Sequence, residues 1–324
     1  MTMYQDELEE RIWPDEEAIF KIRNVPNGDL PNSPDTIFDG NAVDDLPRDR
    51  WLSSDLRRES DKHVHLKKYL ANLPMDAIGI PEYRTILTPE DRSLEWKNLI
   101  YPVNENVLVH IYPGSSGDRD YYVPVEPDCG PVITSLLEQV DERLATDMEL
   151  LEQLAQSEDH ERGLLESLDR ICLSAGGRFE PDPMTLDISG WEGLRYLMVR
   201  EKVGLGKIQP FINDPYIEDV SCSGVGSVFL EHRIFGGLKS SVAFDSEQEL
   251  DRFVIKLSER IGRPATTRDP LIDSVLPDGS RINIVYGNDV SKKGSNFTIR
   301  KFSEDPLSIL DLIRSGTLSY EMAA

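Results

Sequence analysis

Cysteine is scarce in this 324-residue chain. Cys129, Cys172 and Cys222 are odd in number and far apart, with no CxxC pair and no Cys/His cluster. That excludes a zinc site and a disulfide framework, and leaves buried small apolar residues as the expectation. No run of about 18 apolar residues occurs, so no membrane-spanning helix is expected. The start, Met1 to Glu10, is acidic and polar and lacks the basic-then-apolar order of a secretory signal. A cytoplasmic protein is expected, unless a partner carries it to a membrane. Positive charge is short as well: 35 Lys and Arg against 59 Asp and Glu give a net charge of −24. This excludes a general nucleic-acid binder, which needs positive potential to meet phosphates. An acid excess spread over most of the chain suits a halophilic, salt-filled cytoplasm, where screening is strong.

Catalytic motifs are missing too. A phosphate-binding P-loop needs GxxxxGK[ST], because its backbone N–H groups cradle phosphates and its Ser or Thr holds Mg²⁺. The nearest run, Gly204-Leu205-Gly206-Lys207-Ile208, has Ile where Ser or Thr belongs and Glu201 where the first Gly belongs. It reads as a helix-ending turn. No GxSxG elbow appears, and the five histidines (63, 65, 110, 160 and 232) are scattered. Glu218-Asp219 are adjacent on a strand and point to opposite faces, so a shared metal ion is disfavoured against capping or interface pairing.

What is present is a change of pattern along the chain. Residues 1–60 form an acidic arm rich in Asp, Pro and Asn, expected to be mostly disordered because it can bury little apolar surface. Residues 61–180 read as a helical domain with a β-hairpin. Residues 61–73 suit a short amphipathic helix. NVLVHIY (106–112) and YYVPV (121–125) read as strands across the turn PGSSGD (113–118). Ile133, Leu136, Leu137, Val140, Leu144, Met148, Leu151 and Leu154 recur at helical steps over 131–173, with an interruption at 159–163. Gly176-Gly177 and two prolines break the run, and a domain boundary is placed there. Residues 181–324 read as a small α+β domain. It starts with a helix over 189–201 capped by Ser189, with Glu192 completing a capping box. Short strands with Gly turns follow from Ile217, then a helix over 246–262, strands at 281–286 and 295–299, and a last helix after Pro306. The fold class is α+β, with a helical first half and a small-sheet second half. Residues 251–300 carry nine bases against six acids, a local balance of +3. A positive island in so acidic a chain points to a site for an anion.

Read as a string, the second half is more specific. It runs YLMVREKVGLGKIQPFINDPYIEDVSCS (196–223), VFLEHRIFG (228–236), RIGRPATTRDPLIDSVLPDGSRINIVY (260–286) and GSNFTIRKF (294–302). In this order the segments resemble the archaeal branch of the type II/IV secretion-system ATPases, which drive export and the assembly of type IV pili, archaella and related filaments. YVPVEP (122–127) fits as well. The likeness covers roughly residues 120–324 and leaves the first 60 unmatched.

The resemblance implies a PAS-like α+β domain lying just before a RecA-like catalytic core. In that family the domain packs over the nucleotide held by the core, subunits form a homo-hexameric ring, and relative domain rotation turns ATP hydrolysis into work. The implied cofactors are ATP and Mg²⁺, bound mainly by the catalytic core. The implied partners are that core, further copies of the chain and a polytopic membrane platform protein, with peripheral association at the inner face of the membrane. The chain ends at SYEMAA (319–324), where the family continues to its linker and P-loop, so a truncated or fragmentary motor, inactive alone, is expected.

By resemblance Arg281 and Arg300 are expected to reach the nucleotide phosphates, with Arg263 and Lys301 as further candidates. A planar guanidinium suits bidentate contact with phosphate oxygens. Asp278-Gly279 is read as turn chemistry and Pro270–Asp273 as structural. A competing reading is a non-catalytic adaptor that docks on a membrane secretion complex through its acidic arm and helical half.

Overall fold

The computed structural model describes residues 52–73, 78–114, 118–127, 131–146, 159–174 and 186–302, with 309, 313 and 318–323 near the C-terminus. Nearly all of the acidic arm, Cys129, the 175–185 boundary and most of the helix after Pro306 lie outside them. In chain order the elements are α1 (Ser54–Lys62), α2 (Val64–Asn72), β1 (Glu82–Tyr83), β2 (Leu99–Pro102), β3 (Leu108–Tyr112) and β4 (Tyr121–Val125). Then come α3 (Pro131–Thr146), α4 (His160–Ser174), α5 (Ile188–Lys202), α6 (Gln209–Asn213), β5 (Ile217–Cys222), β6 (Gly226–His232) and β7 (Gly236–Phe244). The series ends with α7 (Glu247–Arg260), β8 (Leu271–Val275), β9 (Arg281–Val285), β10 (Asn296–Arg300) and α8 (Tyr320–Ala323). The class is mixed α+β. No helix among the described residues is long and apolar enough to cross a membrane.

The chain groups into two compact units, one holding residues 1–216 with 226–244 and the other 217–225 with 245–324. The grouping differs from a division at 180, because α5, α6 and the β6–β7 hairpin belong with the first unit. In that unit the strands run in the order β1-β2-β3-β4-β7-β6. The expected hairpin is there as antiparallel β3 and β4, with Leu108 opposite Val125 and Tyr112 opposite Tyr121. β4 then pairs in parallel with β7, Tyr121 opposite Lys239. Beyond the expected hairpin, the first half also contains β1 and β2. β2 (LIYP) is buried along nearly its whole length and shows no alternation, so period alone could not separate it from a helix segment.

The predicted helix over 61–73 is two helices. His63 sits in an extended conformation between them, and α1 begins at Ser54, inside the segment expected to be arm. Ser53 caps α1 by accepting from the Leu56 N–H. Leu56, Leu66 and Leu70 pack with Ile100, Leu108 and Val125. A second cluster joins α3, α4 and α5 through Leu136, Val140, Leu168, Ile171, Leu194 and Met198, as the helical spacing implied for α3. Met148, Leu151 and Leu154 lie outside the described residues. α5 is capped by Asp187, which accepts from the Gly190 N–H at 2.7 Å, and not by Ser189. Asp187 has the extended backbone an N-cap requires, whereas Ser189 is already inside the helix.

The second unit is a four-stranded antiparallel sheet, β5-β10-β9-β8, with α7 on one face. Val220, Ile272, Ile282, Ile284, Phe297 and Ile299 alternate toward the buried face. α7 covers them with Leu250, Val254 and Leu257, and the Phe253 and Phe297 rings meet at 5.5 Å. Each such side chain contributes about 1.5–3 kcal/mol on burial. Ser246 caps α7 at the Glu249 N–H, and Gly262, at φ +71, ends it. β8 is a strand where the sequence suggested only a structural segment.

Candidate site on the open face of the four-stranded sheet

Period-two alternation that buries Ile282, Ile284, Phe297 and Ile299 turns Arg281, Asn283, Thr298 and Arg300 to the opposite, open face. Register then sets them in rows. Arg300 on β10 stands opposite Arg281 on β9 and opposite Asp219 on β5, and Arg281 stands opposite Val275 on β8. The next row is Ser221, Thr298, Asn283 and Asp273. The two predicted phosphate ligands are thus cross-strand neighbours, both exposed.

Both ends of this arginine row are anchored. The PDGS turn leads into β9: Asp278 accepts from the Ser280 N–H at 3.0 Å and from the Ser280 hydroxyl at 2.8 Å. Gly279 lies at φ +86, and a Cβ there would stand 3.4 Å from the Phe302 ring. The Phe302 N–H donates to the Ser280 hydroxyl oxygen at 3.1 Å, and the Lys301 N–H donates to the Glu218 carbonyl at 2.8 Å. The end of β10 is therefore fastened to the turn on one side and to β5 on the other.

The two guanidiniums are not equivalent. Arg300 donates through Nε to Asp219 Oδ1 at 3.1 Å and through Nη2 to Asp219 Oδ2 at 3.5 Å. That bonding holds the Arg300 pKa above its ordinary value. Among the described residues the Arg281 side chain has no hydrogen-bond or ion-pair partner. Like charges placed opposite each other on a sheet are destabilising, and neither charge is needed to form its strand.

The other two candidates lie outside the row. Arg263 donates from Nη1 to the Asp273 carbonyl at 2.8 Å, so it occupies an acceptor of the strand at the end of the sheet order. Lys301 is partly buried and one residue out of phase with Arg300, on the other side of the pleat. The donors of this face could contact an anion. Among the described residues no group of three or more His, Cys, Asp or Glu could hold a metal ion.

Sequence reasoning missed a second polar cluster, inside the first unit. Asp214 is fully buried. Its Oδ2 accepts from the hydroxyls of Tyr101 at 2.6 Å and Tyr122 at 2.8 Å, and its Oδ1 accepts from the Tyr216 N–H at 2.8 Å. His232 Nδ1 accepts from the Ile234 and Phe235 N–H groups, so the proton of the neutral ring sits on Nε2 and donates to the Tyr101 oxygen at 3.3 Å. Burial, with Arg233 adding to it, pushes the His232 pKa down to about 3. His110 is likewise lowered by burial to about 3, between Tyr69 and Asn98. The cluster closes α6, β2, β4 and β6 on one another. Nothing in the sequence marked it, because a buried acid cannot be told from a turn acid by type.

No protein-family model matches the chain. Among curated proteins, Uncharacterized protein MJ0900 of Methanocaldococcus jannaschii is 33% identical over 291 residues, which are 84% of this chain and 51% of that protein. Uncharacterized protein MJ1288 of the same organism is 40% identical over 114 residues, 35% of this chain and 45% of that protein. The chain spans about half the length of these curated relatives. Among solved structures there is a partial likeness to the VirB11 ATPase of the Brucella suis type IV secretion system in complex with sulphate. It has 23% identity and a TM-score of 0.30, over 35% of this chain and 33% of that one.

Proposed function

We propose that this chain is the nucleotide-covering part of a secretion or filament-assembly motor. Arg281 and Arg300 reach the phosphates of an ATP held by a RecA-like catalytic core. The observation that carries the reading is the register of β9 and β10. It sets two exposed guanidiniums side by side on one sheet face, in a chain of net charge −24. An anion between them relieves a repulsion that the strands do not otherwise need. The ordered motifs over 196–302 support the same reading. Mg²⁺ is held by the core, Arg263 and Lys301 stand as outer candidates, and the working unit is a homo-hexamer docked on a membrane platform protein.

The test is ATP turnover by the protein assembled with its catalytic core. The Arg281→Ala, Arg300→Ala double variant is expected to lose about 10²-fold in turnover, with its thermal melt unchanged. Turnover within about twofold of wild type would overturn the reading.

A further inference from the structure

Arg300 and Arg281 share a row but differ in one respect: among the described residues, only Arg300 has a carboxylate bonded to it. Asp219 meets Arg300 along the Nε–Nη2 edge of the guanidinium, at 3.1 and 3.5 Å. A guanidinium has a second donor edge, formed by its two terminal nitrogens, and Asp219 leaves that edge free. The Arg300 side chain is 76% exposed, whereas Asp219 is 33% exposed and is followed on β5 by the buried Val220. The acid is thus the better-fixed member of the pair. An exposed arginine without it would sample many rotamers, and the like charge of Arg281 across the strand would drive it outward.

We infer that Asp219 is a positioning residue for the anion site, holding Arg300 by one edge so that its other edge meets the phosphate beside Arg281. The inference rests on the proposed phosphate contact and adds to it the residue that sets its geometry. The opposite possibility is that Asp219 competes with the phosphate by charge. Magnitudes separate the two. A unit charge about 7 Å away in water changes an anion's affinity about threefold. At physiological salt the Debye length of about 8 Å brings that below about twofold. Releasing a rotamer-rich arginine from a fixed pose changes affinity about tenfold. Positioning outweighs repulsion, and the net effect of removing Asp219 is a weaker site.

The experiment titrates the full chain with inorganic tripolyphosphate at physiological salt. It compares wild type, Asp219→Ala, Arg300→Ala and the double variant Asp219→Ala, Arg300→Ala. Asp219→Ala is expected to weaken binding about fivefold, the roughly tenfold loss of positioning divided by the roughly twofold relief of repulsion. In the Arg300→Ala background the same change should no longer weaken binding and should tighten it by less than about twofold, because only the charge of Asp219 is then left to act. A general loss of sheet structure would instead lower affinity in both backgrounds. Tighter or unchanged binding by Asp219→Ala, with Arg300→Ala weakened, would overturn the inference alone. No saturable binding by wild type, or binding indifferent to Arg300→Ala, would overturn the phosphate reading and the inference with it.

Discussion

Tyr122 and Asp214 show what a single polar contact does in an interior. The Tyr122 hydroxyl is buried and donates to a carboxylate that also serves Tyr101 and the Tyr216 N–H. Tyr122→Phe removes one donor and leaves the ring in place, so about 2 kcal/mol of stability should be lost. Urea unfolding measures it, and a loss near zero would mean that the hydroxyl is dispensable to Asp214. The two buried imidazoles make a separate statement about pH. Unfolded, each titrates near 6.5, whereas folded His110 and His232 are held down to about 3 by burial. Between those values the unfolded chain binds more protons. Stability is therefore complete above about pH 6.5 and falls as pH drops, by up to about 1.4 kcal/mol per pH unit for each histidine. Unfolding midpoints between about pH 6.5 and 5, above the carboxylate range, should fall steadily. A flat profile would contradict neutral buried rings.

At the scale of elements, the PDGS turn fixes where β9 begins and so where Arg281 stands. Gly279 sits at φ +86 under the Phe302 ring. Gly279→Ala should cost about 1–2 kcal/mol through backbone strain, and it should weaken anion binding by shifting the start of β9. Thermal melts and the tripolyphosphate titration read the two effects separately. This turn was legible in the sequence because Asp-Gly-Ser has one strong conformational preference. So were α7, where Asp245 or Ser246 could cap the start and Gly262 the end and the structure uses Ser246, and the β3–β4 hairpin. β2 was not legible, because a four-residue apolar run carries no period. The pairing of Asp219 with Arg300 was hidden for another reason: the two are 81 residues apart, and register between distant strands is decided by packing. For the same reason Arg281 and Arg300 could be singled out one by one, while their placement opposite each other needed the sheet.

Across the whole molecule, charge gives the arginine row its meaning. The chain carries −24 in total, yet residues 251–300 are locally +3, and the sheet of the second unit turns two of those cations outward together. If the row binds phosphate as proposed, an acid-rich chain of this kind should favour small, highly charged anions over a polyanionic lattice. The most direct measurement is a structure of the protein with the catalytic core proposed for it and a non-hydrolysable ATP analogue. The account predicts terminal nitrogens of Arg281 and Arg300 at about 2.7–2.9 Å from phosphate oxygens. Phosphates bound with both guanidiniums still facing solvent would contradict it.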